Sequence, residues 1–437
     1  MHRRTFLTLL GAGTSAAMTE TLGSARWMPV ARAFDSRLGA TPAQLAADED
    51  FWRTIREAYV TDPALIDLDN ANVSPAPRPV AEAFIRRIES LRRVPSAGLP
   101  DMYADESDAR VRPRLARLLG TKPDELGLLR NTTEAMNTII RGFPMARGEE
   151  ILFTSHEFPD MVEMLHQRSK RDGVVVRMVK AADPSEDPKV LVQRLDAAAT
   201  PKTRLLLISH VSAWSGDILP VREVCEWARG RRIATIVDAA QSAGILDVSF
   251  EQIGADFMAA SLHKWLAAPI GTGVLAMRAE WQDRVEPLTA TAIKFPNTMG
   301  RFEWCGTALE AGWASAGEAL DFQERIGLAR KRARIGALGA YWQERLAKVK
   351  GVRILTPSAP GRSFGVAAFA LDGVPSDKLA QHLRVADGIQ VQDKAGPHSP
   401  FPNAIRVSPG VYTNRGELDK FIGAVSSVAE RGLPAAK

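Results

Sequence analysis

Cysteine is nearly missing from this chain. Only Cys225 and Cys305 occur in 437 residues, too few for a disulfide framework. Cys225 lies in "VREVCEWARG", an amphipathic helical pattern, and reads as packing. Charge of one sign is also scarce. The formal net charge is +5, and residues 1–33 hold +3 of it through Arg3, Arg4, Arg26 and Arg32 against Glu20. The remaining +2, without Lys/Arg clusters interleaved with aromatics, excludes a nucleic-acid footprint. No apolar run is long enough to span a bilayer. No repeat or low-complexity tract is visible, which excludes solenoids and disordered linkers. At 45% hydrophobic residues, the chain can bury more than one core, and two domains are expected.

The amino terminus does carry a signal. "HRRTFLTLLGAGTSAAM" joins paired arginines to a short apolar stretch, the pattern of a twin-arginine export signal. "ARA" at residues 31–33 offers a small-x-small cleavage site, so Phe34 is the expected mature start and the periplasm the expected location. That pathway carries folded proteins, which favours a tightly held cofactor.

Beyond the signal, helical segments flank a short strand in "LIDLDNANVSP". Helices are expected from Pro79 to about Leu91 and across "DARVRPRLARLLG", closed by Gly120. From "LGLLRN" onward, apolar strands alternate with helices: "EILFTS", "VVVRMVK", "TRLLLISHVS", "IATIVDAA", "FMAASLHKW" and "GTGVLAMR" are the strands. This alternation predicts a mostly parallel sheet with helices on both faces, which binds ligands beyond the carboxyl ends of its strands. One long helical stretch is expected from about Ala308 to Val349. "VRILTP", "SFGVAAFAL", "IQVQD", "AIRVSPG" and the helix "GELDKFIGAVSSVAE" then form a smaller α+β unit.

Three strand ends carry chemistry. Asp238 closes "IATIVD", where an acid is poised for a ligand or caps the following helix. Lys264, 26 residues later, follows a second apolar strand in "ASLHKWLAAP". "LLRNTTEAMN" places hydroxyls at a helix start, with Thr132 or Thr133 expected at the cap. The first N–H groups there lack intrahelical partners, and the helix dipole favours an anion. A phosphate cradle, an acid for a protonated ring nitrogen and a lysine for a Schiff base are what pyridoxal 5'-phosphate needs. "TSHEFPDM" contains no HExxH, so no metal site is expected.

These segments resemble the class V aminotransferase group of pyridoxal-phosphate enzymes, which includes cysteine desulfurases, kynureninase and isopenicillin N epimerase. "RNTTEAMN", "VDAAQSAG", "SLHKW" and "RFEWCGT" carry the resemblance, which runs from "LIDLDNANVSP" to "IRVSPG". It implies the fold-type I α/β architecture, so that beyond the signal at 1–33 the chain divides into an N-terminal segment at 34–80 packing on the small domain, a large cofactor domain at 81–320 and a small domain at 321–437. It further implies that Lys264 forms the Schiff base and shuttles protons, and that Asp238 pairs with the pyridinium nitrogen. Gln241 is implied near the ring hydroxyl, and Ser261, His263, Thr132 and Thr133 as phosphate ligands. Thr307 is implied to reach the phosphate of a neighbouring subunit, making a homodimer with a shared site. Arg406 is implied to clamp the substrate carboxylate, Asn72 to lie on the substrate side and Phe158 to stack on the cofactor ring.

Departures from the family pattern narrow the reaction. "QVQDKAGPHSPFPNAIR" holds no cysteine, which argues against desulfuration by a mobile thiol. Ala213 stands where desulfurases carry an asparagine. If Phe158 covers the face opposite Lys264, only one base reaches the reacting carbon, and aminotransferase-like chemistry or elimination is favoured over two-base epimerisation. Tyr103, Tyr412 and His210 are the candidates for a second acid. An isopenicillin N epimerase-like epimerase, or a C–S lyase, is the alternative. A reading from another class is a non-catalytic binding or scaffold protein, against which a Schiff-base amine argues. The expected substrate is an amino acid or an amino-acid residue of an exported peptide metabolite such as a siderophore, acted on at its α carbon.

Overall fold

The computed structural model describes residues 28–37, 39–295 and 298–434; the Arg3–Arg4 pair and most of the expected export signal lie outside the described residues. The strands are β1 (Ile66–Asp67), β2 (Leu126–Leu129), β3 (Glu150–Thr154), β4 (Val175–Val179), β5 (Thr203–Ser209), β6 (Ala234–Asp238), β7 (Phe257–Ser261), β8 (Gly273–Met277), β9 (Val352–Ile354), β10 (Ala367–Leu371), β11 (Ile389–Gln390), β12 (Gln392–Asp393) and β13 (Ile405–Val407).

Seven of them form one sheet in the order β2-β8-β7-β6-β5-β3-β4. β8 alone runs against its neighbours. Alternate residues of these apolar strands sort into two cores, one for each face. Leu152, Leu206, Ile208, Val237 and Met258 belong to one. Ile151, Phe153, Leu205, Leu207, Ile236 and Phe257 belong to the other. A strand buried on both faces has no use for polar alternation, which is why these segments read as continuous apolar runs. β4 is the edge, with Val175 and Met178 exposed.

The small domain is an antiparallel sheet ordered β12-β13-β10-β9. Its core centres on Trp342, Phe369 and Phe421, whose rings meet edge to face at 6.0–6.2 Å. β1 pairs in parallel with β11, Ile66 opposite Ile389, so the N-terminal segment adds to this domain. It also grips the inter-domain helix Leu328–Leu346: Arg334 donates to Glu49 Oε1 (2.6 Å) and to the Ala46 carbonyl (3.1 Å). Arg56 reaches Glu417 of the helix Arg415–Arg431 at 2.6 Å. Phe34, the expected mature start, is buried edge-on against Phe51 and Phe322.

Four local expectations are corrected. The single stretch from Ala308 to Val349 is two helices, Ala311–Ile326 and Leu328–Leu346, because Gly327 adopts φ +83 between them. "IQVQD" is not one strand: β11 joins β1 while β12 joins β13. The helix starting at Thr132 is capped by Asn131, whose Oδ1 accepts the Glu134 N–H at 2.9 Å, and Thr132 turns its hydroxyl elsewhere. The helix expected to end at Gly120 does so, with that glycine at φ +58, but Pro95–Asp101 and a π-helical stretch, Met102–Val111, precede it.

Candidate active site

β6 and β7 end side by side, Val237 paired with Met258 and Asp238 with Ala259. Asp238 is therefore delivered to the carboxyl edge of the sheet, and Lys264 follows three residues beyond β7. Asp238 is buried, accepts the Ala240 N–H at 2.8 Å and receives the His210 N–H on its backbone carbonyl at 2.8 Å. Burial raises its pKa above the ordinary carboxylate value, while the hydrogen bond from Ala240 and the Lys264 charge pull it back. Loss of solvent lowers the Lys264 amine to about 8, against the upward pull of Asp238; Arg406 adds to the lowering. The two groups expected to hold an aldehyde and a ring nitrogen thus perturb each other.

At the helix start, the Thr132 N–H donates to Ser261 Oγ at 3.0 Å and the two hydroxyls lie 2.8 Å apart. Ser261 ends β7 opposite Gly273 of β8. A Cβ on Gly273 would sit 2.5 Å from Asn131 Cα, so only glycine lets the helix start approach the sheet edge. Gly273→Ala is expected to cost about 1–3 kcal/mol through overpacking, and to weaken retention of any anion held between Thr132 and Ser261. A thermal melt and a cofactor-retention assay check this. Thr133, on the same first turn, is partly buried.

His263 lies between Ser261 and Lys264; its backbone carbonyl accepts the Ser74 N–H at 3.0 Å. Its Nδ1 is buried without a partner among the described residues, a polar atom left waiting for one. Gln241 is held rigidly: Nε2 donates to the Ala71 carbonyl at 2.8 Å, and Oε1 accepts from Trp265 Nε1 at 3.0 Å. One amide hydrogen remains for a ligand.

Arg406 of β13 is buried. It donates to the Ala213 carbonyl at 3.0 Å and to Asp69 Oδ1 at 2.8 Å, while Nε has no partner. Phe158 stands immediately before the helix Pro159–Asp172 and packs against a group absent from the sequence reading: Lys394 Nζ lies 5.7 Å from its ring centre and 5.6 Å from that of Trp214. Asp69, Lys394 and Trp214 are the residues that reading missed. Asp69 stands two residues past the end of β1 and Asp238 at the end of β6, so the same rule would have found it. Lys394 follows an equally short strand, hidden in a loop-like stretch.

Two expected site residues are exposed: Asn72 at the rim of this cluster, between Ala71, whose carbonyl accepts from Gln241, and Ser74, whose N–H holds the His263 carbonyl, and Thr307 on another cavity. Asn72 is exposed, and its N–H closes a turn onto the Asp69 carbonyl at 2.9 Å. Thr307 is exposed and lines a separate cavity of about 390 Å³ with Tyr103, Glu303, Trp304 and Trp313. Of the suggested second acids, Tyr103 belongs to that cavity and donates to Glu303 Oε2 at 2.8 Å. Tyr412 is buried against Tyr59, its ring 5.0 Å away. His210 is half-buried beside Asp238, and loss of solvent lowers it to about 4. Glu163, His166 and His398, which no sequence spacing connected, gather on the surface with ligand atoms within 4.8 Å of one another.

The chain matches the sequence pattern of the aminotransferase class-V family over residues 66–421. It is 31% identical over 398 residues to isopenicillin N epimerase of Streptomyces clavuligerus, covering 86% of this chain and 98% of that one. It is 30% identical over 398 residues to a probable cysteine desulfurase of Xylella fastidiosa, covering 85% and 92%. Among solved structures, apo cysteine desulfurase from Thermococcus onnurineus superposes with a TM-score of 0.76 at 26% identity, covering 88% of this chain and 98% of that one. The cystine C–S lyase C-DES in complex with cysteine persulfide superposes at 0.73 and 23% identity, covering 82% and 96%, a likeness of fold alone. A C-DES mutant with glycine covalently linked to its pyridoxal-phosphate cofactor superposes at 0.72, with 22% identity over 82% and 95%. The lone amine, the buried anion, the unpartnered His263 Nδ1 and the glycine-backed hydroxyl pair fit such a cofactor.

Proposed function

Because the chain belongs to the class V aminotransferase family and is a pyridoxal-phosphate-dependent enzyme, we propose that it breaks a bond at the α carbon of an amino acid or of an amino-acid residue in a peptide metabolite, with Lys264 as the base. The observation that carries this reading is the pairing of the half-buried Lys264 amine with the buried Asp238 at adjoining strand ends. The cofactor, when bound, supplies an electron sink for the broken bond. Asp238 is the fixed anion that a protonated ring nitrogen requires. Thr132, Thr133, Ser261 and His263 would hold the phosphate, and the remaining Gln241 N–H would be free for the ring oxygen. Arg406 orients the carboxylate through its unpartnered Nε. Lys264 Nζ would take the proton from the α carbon and, in amino transfer, give it up at the carbon that accepts the amino group rather than at the α carbon, and Phe158 would shield the site from water.

Amino transfer with a single base is the first reading, since Phe158 offers no proton. Epimerisation is the second, favoured by the 31% identity to isopenicillin N epimerase over nearly the whole of that enzyme. Mass spectrometry of the cofactor after mixing with candidate amino acids separates them: pyridoxamine phosphate marks transfer, and unchanged pyridoxal phosphate with inverted substrate marks epimerisation. Protein that stays colourless and takes up no cofactor sinks both readings and leaves a scaffold.

The Lys264 amine attacks an aldehyde only when neutral. Its lowered value places half-maximal loading of cofactor-free protein near pH 8 rather than near the ordinary lysine value of about 10.4. Loading rates followed by absorbance between pH 6 and 10 check the midpoint.

The work site is proposed to be the periplasm, reached through the twin-arginine signal at 1–33, with an exported peptide such as a siderophore precursor as substrate. Cell fractionation with Arg3→Lys and Arg4→Lys together, and metabolite profiles of a deletion strain, test these two points. Thr307 is proposed to complete the site of a second copy, since the cavity it lines shares no residue with the Lys264 cluster. Light scattering is expected to give twice the chain mass, and an active monomer would overturn the sharing.

A further inference from the structure

Among the described residues, loss of solvent lowers three lysine amines, Lys264, Lys331 and Lys394, and they are compensated differently. Lys331 donates to the Gly244 carbonyl and Gln323 Oε1, both at 2.8 Å, and to the Trp265 carbonyl; it is a brace beneath the Lys264 loop. Lys264 has Asp238. Lys394 is only 8% exposed and, among the described residues, makes no hydrogen bond or ion pair through its amine; its neighbours are the faces of Phe158 and Trp214. Buried charges are ordinarily paired, and ring faces attract a cation without neutralising it.

The register of the small sheet says where this amine stands. Gln392 pairs with Arg406 across β12 and β13, and the Lys394 N–H donates to the Ala404 carbonyl at 2.8 Å. Lys394 is thus two residues along from the partner of Arg406, on the same sheet face. Such diagonal neighbours are about 7–8 Å apart, within the span of a short carbon chain. The charges facing Lys394 are Arg406 on β13, Asp69 beyond β1, Lys264 beyond β7 and Asp393 beside it. Asp69 is committed to Arg406 at 2.8 Å, so Lys394 is the cation left over.

We propose that Lys394 and Arg406 form a two-point anion site, which selects substrates bearing a second carboxylate besides the one at the reacting carbon. Arg406 takes the α-carboxylate, and Lys394, backed by Phe158 and Trp214, takes the distal one. The inference rests on the reading of Arg406 under Proposed function. Burial, helped by Arg406 and Lys264, lowers the Lys394 amine to about 6 in the ligand-free protein. An anion beside it raises that value, so binding near neutral pH draws a proton onto the amine.

Titration calorimetry of the cofactor-loaded protein tests the site with glutarate and valerate, which match in chain length and cannot react with the cofactor. The expected result at pH 7.5 is a preference for glutarate of roughly ten- to hundred-fold, with proton uptake revealed by buffers of differing ionisation enthalpy. Lys394→Met is expected to erase both the preference and the uptake, whereas Lys394→Arg keeps the preference and loses the uptake. Equal affinities in the wild type, or a preference surviving in Lys394→Met, overturn the proposal. Cofactor loading is read separately by absorbance. Protein that never loads sinks the proposed function yet still reports the glutarate preference, and loaded protein without the preference sinks the anion site alone.

Discussion

Lys264→Ala is expected to lower turnover by roughly 10²–10⁴-fold or more, the range for a positioned acid–base group, and to abolish the covalent link to the cofactor. Borohydride reduction followed by digestion reads the second effect directly. In the wild type, the tag falls on the peptide carrying residue 264; in the variant, no lysine is tagged. The experiment discriminates because Lys331 and Lys394 are also lowered by burial, to about 7 and about 6. Loss of solvent alone therefore does not choose the nucleophile. Position chooses it: Lys331 is tied to three acceptors, and Lys394 hangs from the other domain. Only Lys264 has the buried acid at its side. A tag on residue 331 or 394 removes the basis of the mechanism. Stability should change little, since alanine removes a half-buried amine together with its desolvation cost.

Asp69→Ala is expected to be the most destabilising single change near the site. Asp69 and Arg406 are both nearly inaccessible and lie 2.8 Å apart. Removing one partner of a buried ion pair strands the other, at about 3–5 kcal/mol. The pair joins two parts of the chain: Asp69 belongs to the N-terminal segment and Arg406 to the small sheet, while Ala213 of the large domain accepts the same guanidinium at 3.0 Å. The loss should appear as a lower urea midpoint and as a weaker grip on carboxylates, because the freed arginine is no longer aimed. An unchanged midpoint would mean that water replaces the carboxylate at no cost. Asp69→Asn keeps the shape and one acceptor, and should fall between the variant and the wild type.

Legibility of the site tracked the kind of force that places each residue. Asp238 and Lys264 stand at the ends of strands buried on both faces, and such strands announce themselves as unbroken apolar runs. Their carboxyl ends point to one edge by the geometry of a parallel sheet, so two distant positions could be placed together. The helix start at Thr132 was legible from its cap chemistry, though the cap itself is Asn131. Lys394 was not legible, because β11 and β12 are two residues each and a two-residue strand has no period to read. Its neighbours Phe158 and Trp214 come from 236 and 180 positions upstream, and no local pattern encodes that meeting. Thr307 shows the converse: its role was implied by likeness alone, and within one chain it faces a cavity of its own.

From the sequence alone came the alternation of elements, the sheet-covered-by-helices architecture and the amine, acid and anion cradle at its edge, because hydrophobic periodicity and capping are local and survive without partners. Tertiary structure alone decided the direction of β8, the break at Gly327, the pairing of Asp69 with Arg406 and the stranding of Lys394 between two rings. Those outcomes depend on which surfaces exclude water from one another, and desolvation is a property of the assembled fold, not of any stretch of chain.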